Sequence, residues 1–236
     1  MSGPAVVVGA SSSIGRAVAV MLSDVGYVPA LWGRSIEDLE ETARQCASVG
    51  GVGAVRAVDV TDRDAVRSAV RETAPQGRLH AAVWCAGLFD WGPADSADPD
   101  TWAQVIDVNL TAAATFTATA LPALLEAAPS ALVFIGSGAG HQAFPNNAAY
   151  VASKHGLTGL AGATFLDVRD RGVKVTLVSP GLVAAGAGLR SRAGAEHPEL
   201  LLQPDDVASA VRFAVTFPTN GCPTEIRIQP QQAPQP

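Results

Sequence analysis

Short, mostly apolar runs alternate along this chain with longer stretches of helical period. Residues 5–8, 28–32, 55–58, 81–84, 131–135 and 173–179 read as strands, with a last short one at 225–228. The first of these, Ala-Val-Val-Val, is β-branched with no polar break, as expected of a parallel strand buried on both faces. Helical patterns fall between the strands at 16–25, after Ser35, at 63–74, over a long stretch at 99–127, at 148–171 and from Pro204 onward. Ser35, and Thr61 or Asp62, are the expected helix caps. The alternation predicts an α/β fold: one Rossmann-like, doubly wound parallel sheet of about seven strands with helices on both faces. A single domain is expected over 1–228. Residues 184–203, rich in Ala and Gly, read as a mobile substrate lid, and the Pro/Gln stretch 229–236 as a disordered tail.

Composition narrows the class of function. The 236 residues are 48% hydrophobic and 16% charged, which suits a compact core rather than a disordered chain. A net charge of −6 argues against a nucleic-acid partner, because phosphate neutralisation needs a basic surface. No apolar run approaches the roughly 20 residues of a membrane helix, and no basic segment precedes the first apolar run, so neither membrane span nor signal peptide is expected. Cys46, Cys85 and Cys222 lack metal-site spacing and read as free thiols in a cytoplasmic protein without a bound metal.

Two stretches carry candidate chemistry. The loop from Gly9 to Gly15, Gly-Ala-Ser-Ser-Ser-Ile-Gly, joins a strand to a helix. Its small residues let backbone N–H groups approach a pyrophosphate at the positive end of the helix dipole. Ser13 stands where a glycine would be usual, and is small enough to cap the helix or reach a phosphate. At the end of the second strand stands Arg34, with no carboxylate beside it; a cation there suits the 2′-phosphate of NADP(H). The second stretch runs from Ser137, at the end of a strand, to Tyr150 and Lys154. The last two are four apart and share one helix face. A phenol with a pKa of about 10 is a slow acid near neutrality. An ammonium about 4 Å away, at an effective dielectric of about 20, contributes about 4 kcal/mol, enough to lower that pKa by up to about 3.

Ser137, thirteen residues before Tyr-x-x-x-Lys, resembles the active site of the short-chain dehydrogenase/reductase family. The glycine-rich turn resembles that family's Gly-x-x-x-Gly-x-Gly, with Ser13 as the departure. The resemblance runs to about residue 228. It implies hydride transfer between NADP(H) and a ketone or secondary alcohol, with Tyr150 as general acid/base and Ser137 donating to the substrate oxygen. It also implies that Lys154 holds the nicotinamide ribose, and that Asn109 maintains a helix bend and a proton path. Cofactor contacts are implied for Gly9, Ser11, Ser12, Ser13, Ile14, Gly15, Arg34, Asp59, Val60, Ala86, Gly87, Tyr150, Lys154, Pro180, Gly181 and Val183. His141 and Phe144 join Ser137 and Tyr150 as expected substrate-pocket residues, with Phe89 and Trp91 as further apolar lining. The family's Asn-Asn-Ala-Gly becomes Trp84-Cys85-Ala86-Gly87, and Val8 replaces its threonine before the first glycine. An apolar contact between Val8 and Cys85 is the expected replacement for that polar tie. A threonine usual after Pro180-Gly181 is missing from residues 184–188. A small-molecule substrate and a homodimer or homotetramer are the expected partners. The competing expectation is a cofactor-binding sensor or assembly protein without turnover.

Overall fold

The computed structural model describes residues 3–51 and 53–232. Its seven parallel strands are β1 (Gly3–Val8), β2 (Tyr27–Gly33), β3 (Ala54–Ala57), β4 (Ala81–Trp84), β5 (Ser130–Ile135), β6 (Val173–Pro180) and β7 (Glu225–Ile228). They form one sheet in the order β3-β2-β1-β4-β5-β6-β7. The order reverses between β1 and β4, so a crevice opens beyond the carboxyl ends of those two strands.

Alternation along each strand sends side chains to two cores. Val6, Val8, Ala82, Trp84, Leu132 and Phe134 face one side, where α3 (Arg63–Thr73), α5 (Ala112–Glu126) and α6 (Ala148–Val168) pack. Ala5, Val7, Ala81, Val83 and Val133 face the other, under α1 (Ser13–Asp24), α2 (Ile36–Ser48) and α9 (Pro204–Thr216). On the first side Phe116 meets Trp32 edge-on at 5.8 Å and Trp84 at 5.4 Å. Buried Lys174 on β6 donates to the carbonyls of Val215 and Phe217 at the end of α9. There its charge meets the negative end of the helix dipole.

Several expectations change. The long stretch 99–127 is α4 (Pro99–Ile106) and α5 separated by one wide π-type turn, Asp107–Thr111. Contrary to the sequence reading, Pro99–Glu126 is long and apolar enough to cross a membrane, with a mean hydropathy of 1.4 over 18 residues. Its Ala113, Phe116, Ala120 and Leu124 are buried in the first core. The expected lid contains α7 (Gly186–Arg190) and α8 (Arg192–Glu196), and is stapled at its base by a Val183–Leu202 bridge. Of the expected disordered tail, residues 229–232 are placed: Gln229 and Pro230 lie against Gly181. Residues 233–236 lie outside the described residues.

Candidate active site

The glycine-rich turn is built by close approach. Gly9 has φ +85°, which suits glycine, and a Cβ on Gly15 would lie 2.1 Å from the Gly9 carbonyl oxygen. The N–H groups of Gly9 and Ala10 both donate to the Trp32 carbonyl (2.8 and 2.9 Å), fixing the turn against β2. Ser12, not Ser13, caps α1: its Oγ accepts from Gly15 N–H (3.0 Å) and donates to the Gly9 carbonyl (2.8 Å). Ser13 opens the helix and is exposed, Ser11 packs beside Gly33, and Ile14 packs on the second core. Arg34 is exposed at the end of β2. Asp59 is engaged by Thr61, whose N–H and hydroxyl donate to it (3.0 and 2.7 Å), and these bonds hold its carboxyl below the usual range. Asp62, rather than Thr61, caps α3. Val60 and Ala86 pack on the first core.

The expected Val8–Cys85 contact is replaced by a backbone bond. Cys85 N–H donates to the Val8 carbonyl (2.8 Å), while the Val8 side chain belongs to the first core and Cys85 packs against the second. Consecutive residues on a strand face opposite ways, so the register that pairs Val8 with Trp84 sends Cys85 to the other side.

Ser137, Tyr150 and Lys154 converge past the ends of β5 and β6. Ser137 follows β5, and its Oγ accepts from Ala139 N–H (3.1 Å), starting a tight turn at Gly138–Gly140. That use as acceptor leaves the hydroxyl proton free. In the first turn of α6, Tyr150 faces Ser137. Burial pushes its phenol up from the ordinary value, and the Ser137 hydroxyl is the interaction that opposes this. Lys154 is buried and donates to the Ile135 carbonyl (3.0 Å); its Nζ stands 5.6 Å from the Tyr150 ring centre. Burial lowers the ammonium pKa to about 8, and its neighbour Cys85 is raised by burial to about 12. The net shift of the phenol is therefore upward rather than downward as the sequence reading expected, because burial is the dominant influence on it.

Asn109 is fully buried in the wide turn, and its amide is used on three sides. Oδ1 accepts from Leu88 N–H (2.7 Å), while Nδ2 donates to the Leu88 carbonyl (2.9 Å) and Ser153 Oγ (2.9 Å). It thus locks the segment after Gly87 to α6. A Cβ on Gly87 would stand 3.4 Å from Asn109 Oδ1 and 3.8 Å from Lys154 Nζ, so the turn, the amide and the ammonium meet at one point. Asn109→Ala leaves both backbone groups of Leu88 without their partner. It is expected to cost about 2–4 kcal/mol, read as a lower midpoint in urea unfolding.

Pro180 is buried at the end of β6, Gly181 N–H donates to the Ile228 carbonyl (2.8 Å), and Val183 is buried. The ring of His141, expected to line the substrate pocket, is engaged by Ser179, Glu225 and Arg227. Phe144 is exposed. Phe89 rather than Phe144 packs on the catalytic candidate, edge-on to Tyr150 at 4.9 Å, and Trp91 stacks on Phe89 at 6.2 Å. Ser153 and the partners of His141 carry no motif of their own; the Glu-x-Arg alternation of β7 is the one sequence trace of that cluster.

A family profile described as short chain dehydrogenase matches residues 4–195. The chain belongs to this family. Glycine betaine reductase ATRR of Emericella nidulans is 32% identical over 238 residues; the match takes in 98% of this short-chain dehydrogenase but only 19% of that relative's length. Cyclohexanol dehydrogenase of Acinetobacter sp. strain SE19 is 30% identical over 221 residues, covering 90% of this chain and 87% of that one. Among solved structures, a metagenomic short-chain oxidoreductase in complex with NADP superposes with a TM-score of 0.84 at 31% identity, covering 97% of both chains. The family is one of oxidoreductases, and the seven-stranded sheet is its fold.

Proposed function

We propose that this protein is an NADP(H)-dependent reductase of ketones, and dehydrogenase of the corresponding secondary alcohols, with Tyr150 as the general acid/base. The observation that carries the reading is the convergence of the Tyr150 and Ser137 hydroxyls beside a buried ammonium at the open end of the sheet. The turn fits a dinucleotide: the Gly9–Gly15 approach leaves no room for a Cβ, and the exposed hydroxyls of Ser12 and Ser13 stand at the start of α1. Arg34 supplies the cation for a 2′-phosphate, and the NADP-bound relative supports the same choice. Ala86, Gly87, Pro180, Gly181 and Val183 would border the nicotinamide half, and Asp59 and Val60 the adenine.

Bound there, the dinucleotide supplies hydride to the carbonyl carbon. Everything else falls to side chains. Tyr150, kept as the neutral phenol by burial, holds the proton that the carbonyl oxygen takes up. Ser137 donates a hydrogen bond to that oxygen as charge grows on it. Lys154 provides a desolvated positive charge close to the phenol, and its pKa of about 8 keeps it mostly protonated at neutrality. Phe89 and Trp91, both exposed at the mouth, favour a neutral ketone with an apolar ring or chain over a charged one. Leu166, 63% exposed on α6, supports association with a second copy, and helices 184–203 support the lid.

The test is the change in nicotinamide absorbance with NADPH or NADH and a panel of cyclic, aromatic and β-keto carbonyl compounds. Turnover is expected with NADPH and apolar ketones. Arg34→Asp is expected to shift the NADPH:NADH preference by at least about tenfold toward NADH, because it replaces a phosphate partner with a carboxylate suited to ribose hydroxyls. NADPH binding with silence across the panel would instead favour a sensor.

A further inference from the structure

Three side chains close a ring at the edge of the sheet, next to the candidate catalytic turn. His141 Nδ1 lies 2.9 Å from Arg227 Nη2, and His141 Nε2 lies 3.1 Å from Glu225 Oε1 and 3.0 Å from Ser179 Oγ. Arg227 Nε in turn pairs with Glu225. The His141 side chain is only 13% exposed. A guanidinium can only donate, so Nδ1 must accept and the ring proton sits on Nε2, where Glu225 takes it. One tautomer of the neutral imidazole therefore satisfies every partner.

The placement gives this ring a use. His141 directly follows the Gly138–Gly140 turn that Ser137 starts. Its partners sit on β6 and β7, where Ser179 and Arg227 are register neighbours. From the other side Thr158 of α6 donates to the Gly140 carbonyl (3.3 Å). Ala139 and Gly140 are buried, with Gly140 close against Thr158 and Lys154 of α6, while a Cβ on Gly138 would meet nothing within 4 Å, so α6 holds one side of the turn and the His141 ring the other. We infer that His141 is a positioning residue: it ties the Ser137 turn to the edge strand and so aims the Ser137 hydroxyl. The inference rests on Ser137 contacting the substrate oxygen, as proposed above.

The charged groups facing the His141 ring are Glu225 and Arg227, both from β7. Ser179 on β6 and Thr158 on α6 are neutral, and the Lys154 ammonium is directed at Ile135.

The experiment compares wild type with His141→Phe, His141→Gln and Arg227→Met. Glutamine keeps an acceptor and a donor at similar spacing, phenylalanine keeps the volume alone, and Arg227→Met breaks the ring from β7. Two readouts are taken: amide hydrogen exchange of residues 138–142 in the cofactor-free protein, and kcat and KM with NADPH and the best ketone. His141→Phe and Arg227→Met are expected to raise exchange about tenfold and lower kcat about tenfold, with KM for NADPH unchanged. His141→Gln is expected to restore both to within about threefold. Unchanged exchange in both tie-breaking variants, or faster exchange with unchanged kcat, overturns the inference. Full turnover by Tyr150→Phe would overturn the proposed function separately, and the exchange readout does not depend on it.

Discussion

Tyr150→Phe is expected to lower turnover by at least about 10³-fold while leaving NADPH affinity within about twofold of wild type. Phenylalanine keeps the ring and its edge-on contact with Phe89, so the pocket wall survives. What disappears is the one hydroxyl that can move a proton to the carbonyl oxygen, and a positioned acid is worth about 10²–10⁴ in rate. Ser137 cannot substitute, because a serine hydroxyl donates a hydrogen bond but is far too weak an acid to surrender its proton. Steady-state absorbance gives the first number, and quenching of tryptophan fluorescence by NADPH the second. Retention of more than a tenth of the wild-type rate would sink the assignment of Tyr150.

The second large effect concerns Lys154, where function and stability pull apart. Lys154→Met is expected to lower kcat at least about 100-fold by removing the charge beside the phenol. It is also expected to change how stability responds to pH. The folded ammonium has a pKa of about 8 against 10.5 when exposed, which corresponds to a folding penalty of about 3 kcal/mol at pH 7. The sign follows from proton counts. Between these two values the unfolded chain binds more protons than the folded one, so wild-type stability rises with pH there and the penalty fades. Methionine carries no such penalty but leaves the Ile135 carbonyl without its donor, which offsets part of the gain. Above about pH 9 the raised thiols of Cys46 and Cys85 act with the opposite sign in both proteins, so only the difference between the two isolates Lys154. That difference in urea-unfolding free energy should move in favour of wild type by about 1 kcal/mol per pH unit from pH 8 to 10. A difference that stays flat would mean that the ammonium is solvated in the folded protein.

Much of this was legible in the sequence because it is local. Unbroken apolar runs mark strands buried on both faces, and the four-residue step from Tyr150 to Lys154 marks a shared helix face. The missing pieces depend on partners far along the chain. Asn109 binds Leu88 and Ser153, 21 and 44 residues away, and no period reveals that. His141 reads as pocket lining until β7 arrives beside it, 86 residues on at Arg227. The Ala- and Gly-rich stretch 184–203 has no apolar stripe, so α7 and α8 leave no pattern to find. Three successive serines all suit a cap, and only the backbone geometry at Ser12 selects one. The direction of the Tyr150 shift depends on how deeply the phenol is buried, which spacing alone leaves undetermined.

The strand order also sets a timetable for synthesis. β1 emerges first and ends at the middle of the sheet; β4 docks on β1, and from β5 onward each new strand docks on the one before it, β5 on β4, β6 on β5 and β7 on β6. A nascent chain can thus extend this half of the sheet outward as it leaves the ribosome, without waiting for distant sequence. Ser137, Tyr150 and Lys154 are all in hand once α6 is made, but Glu225 and Arg227 come last. The short-chain dehydrogenase would therefore assemble its reactive groups before it acquires the strand that braces them. A chain stalled before β7 would carry the complete Ser–Tyr–Lys set on a sheet whose exposed edge is the eight-residue β6 instead of the four-residue β7, and a long open edge is the part of a sheet most prone to pair with another chain.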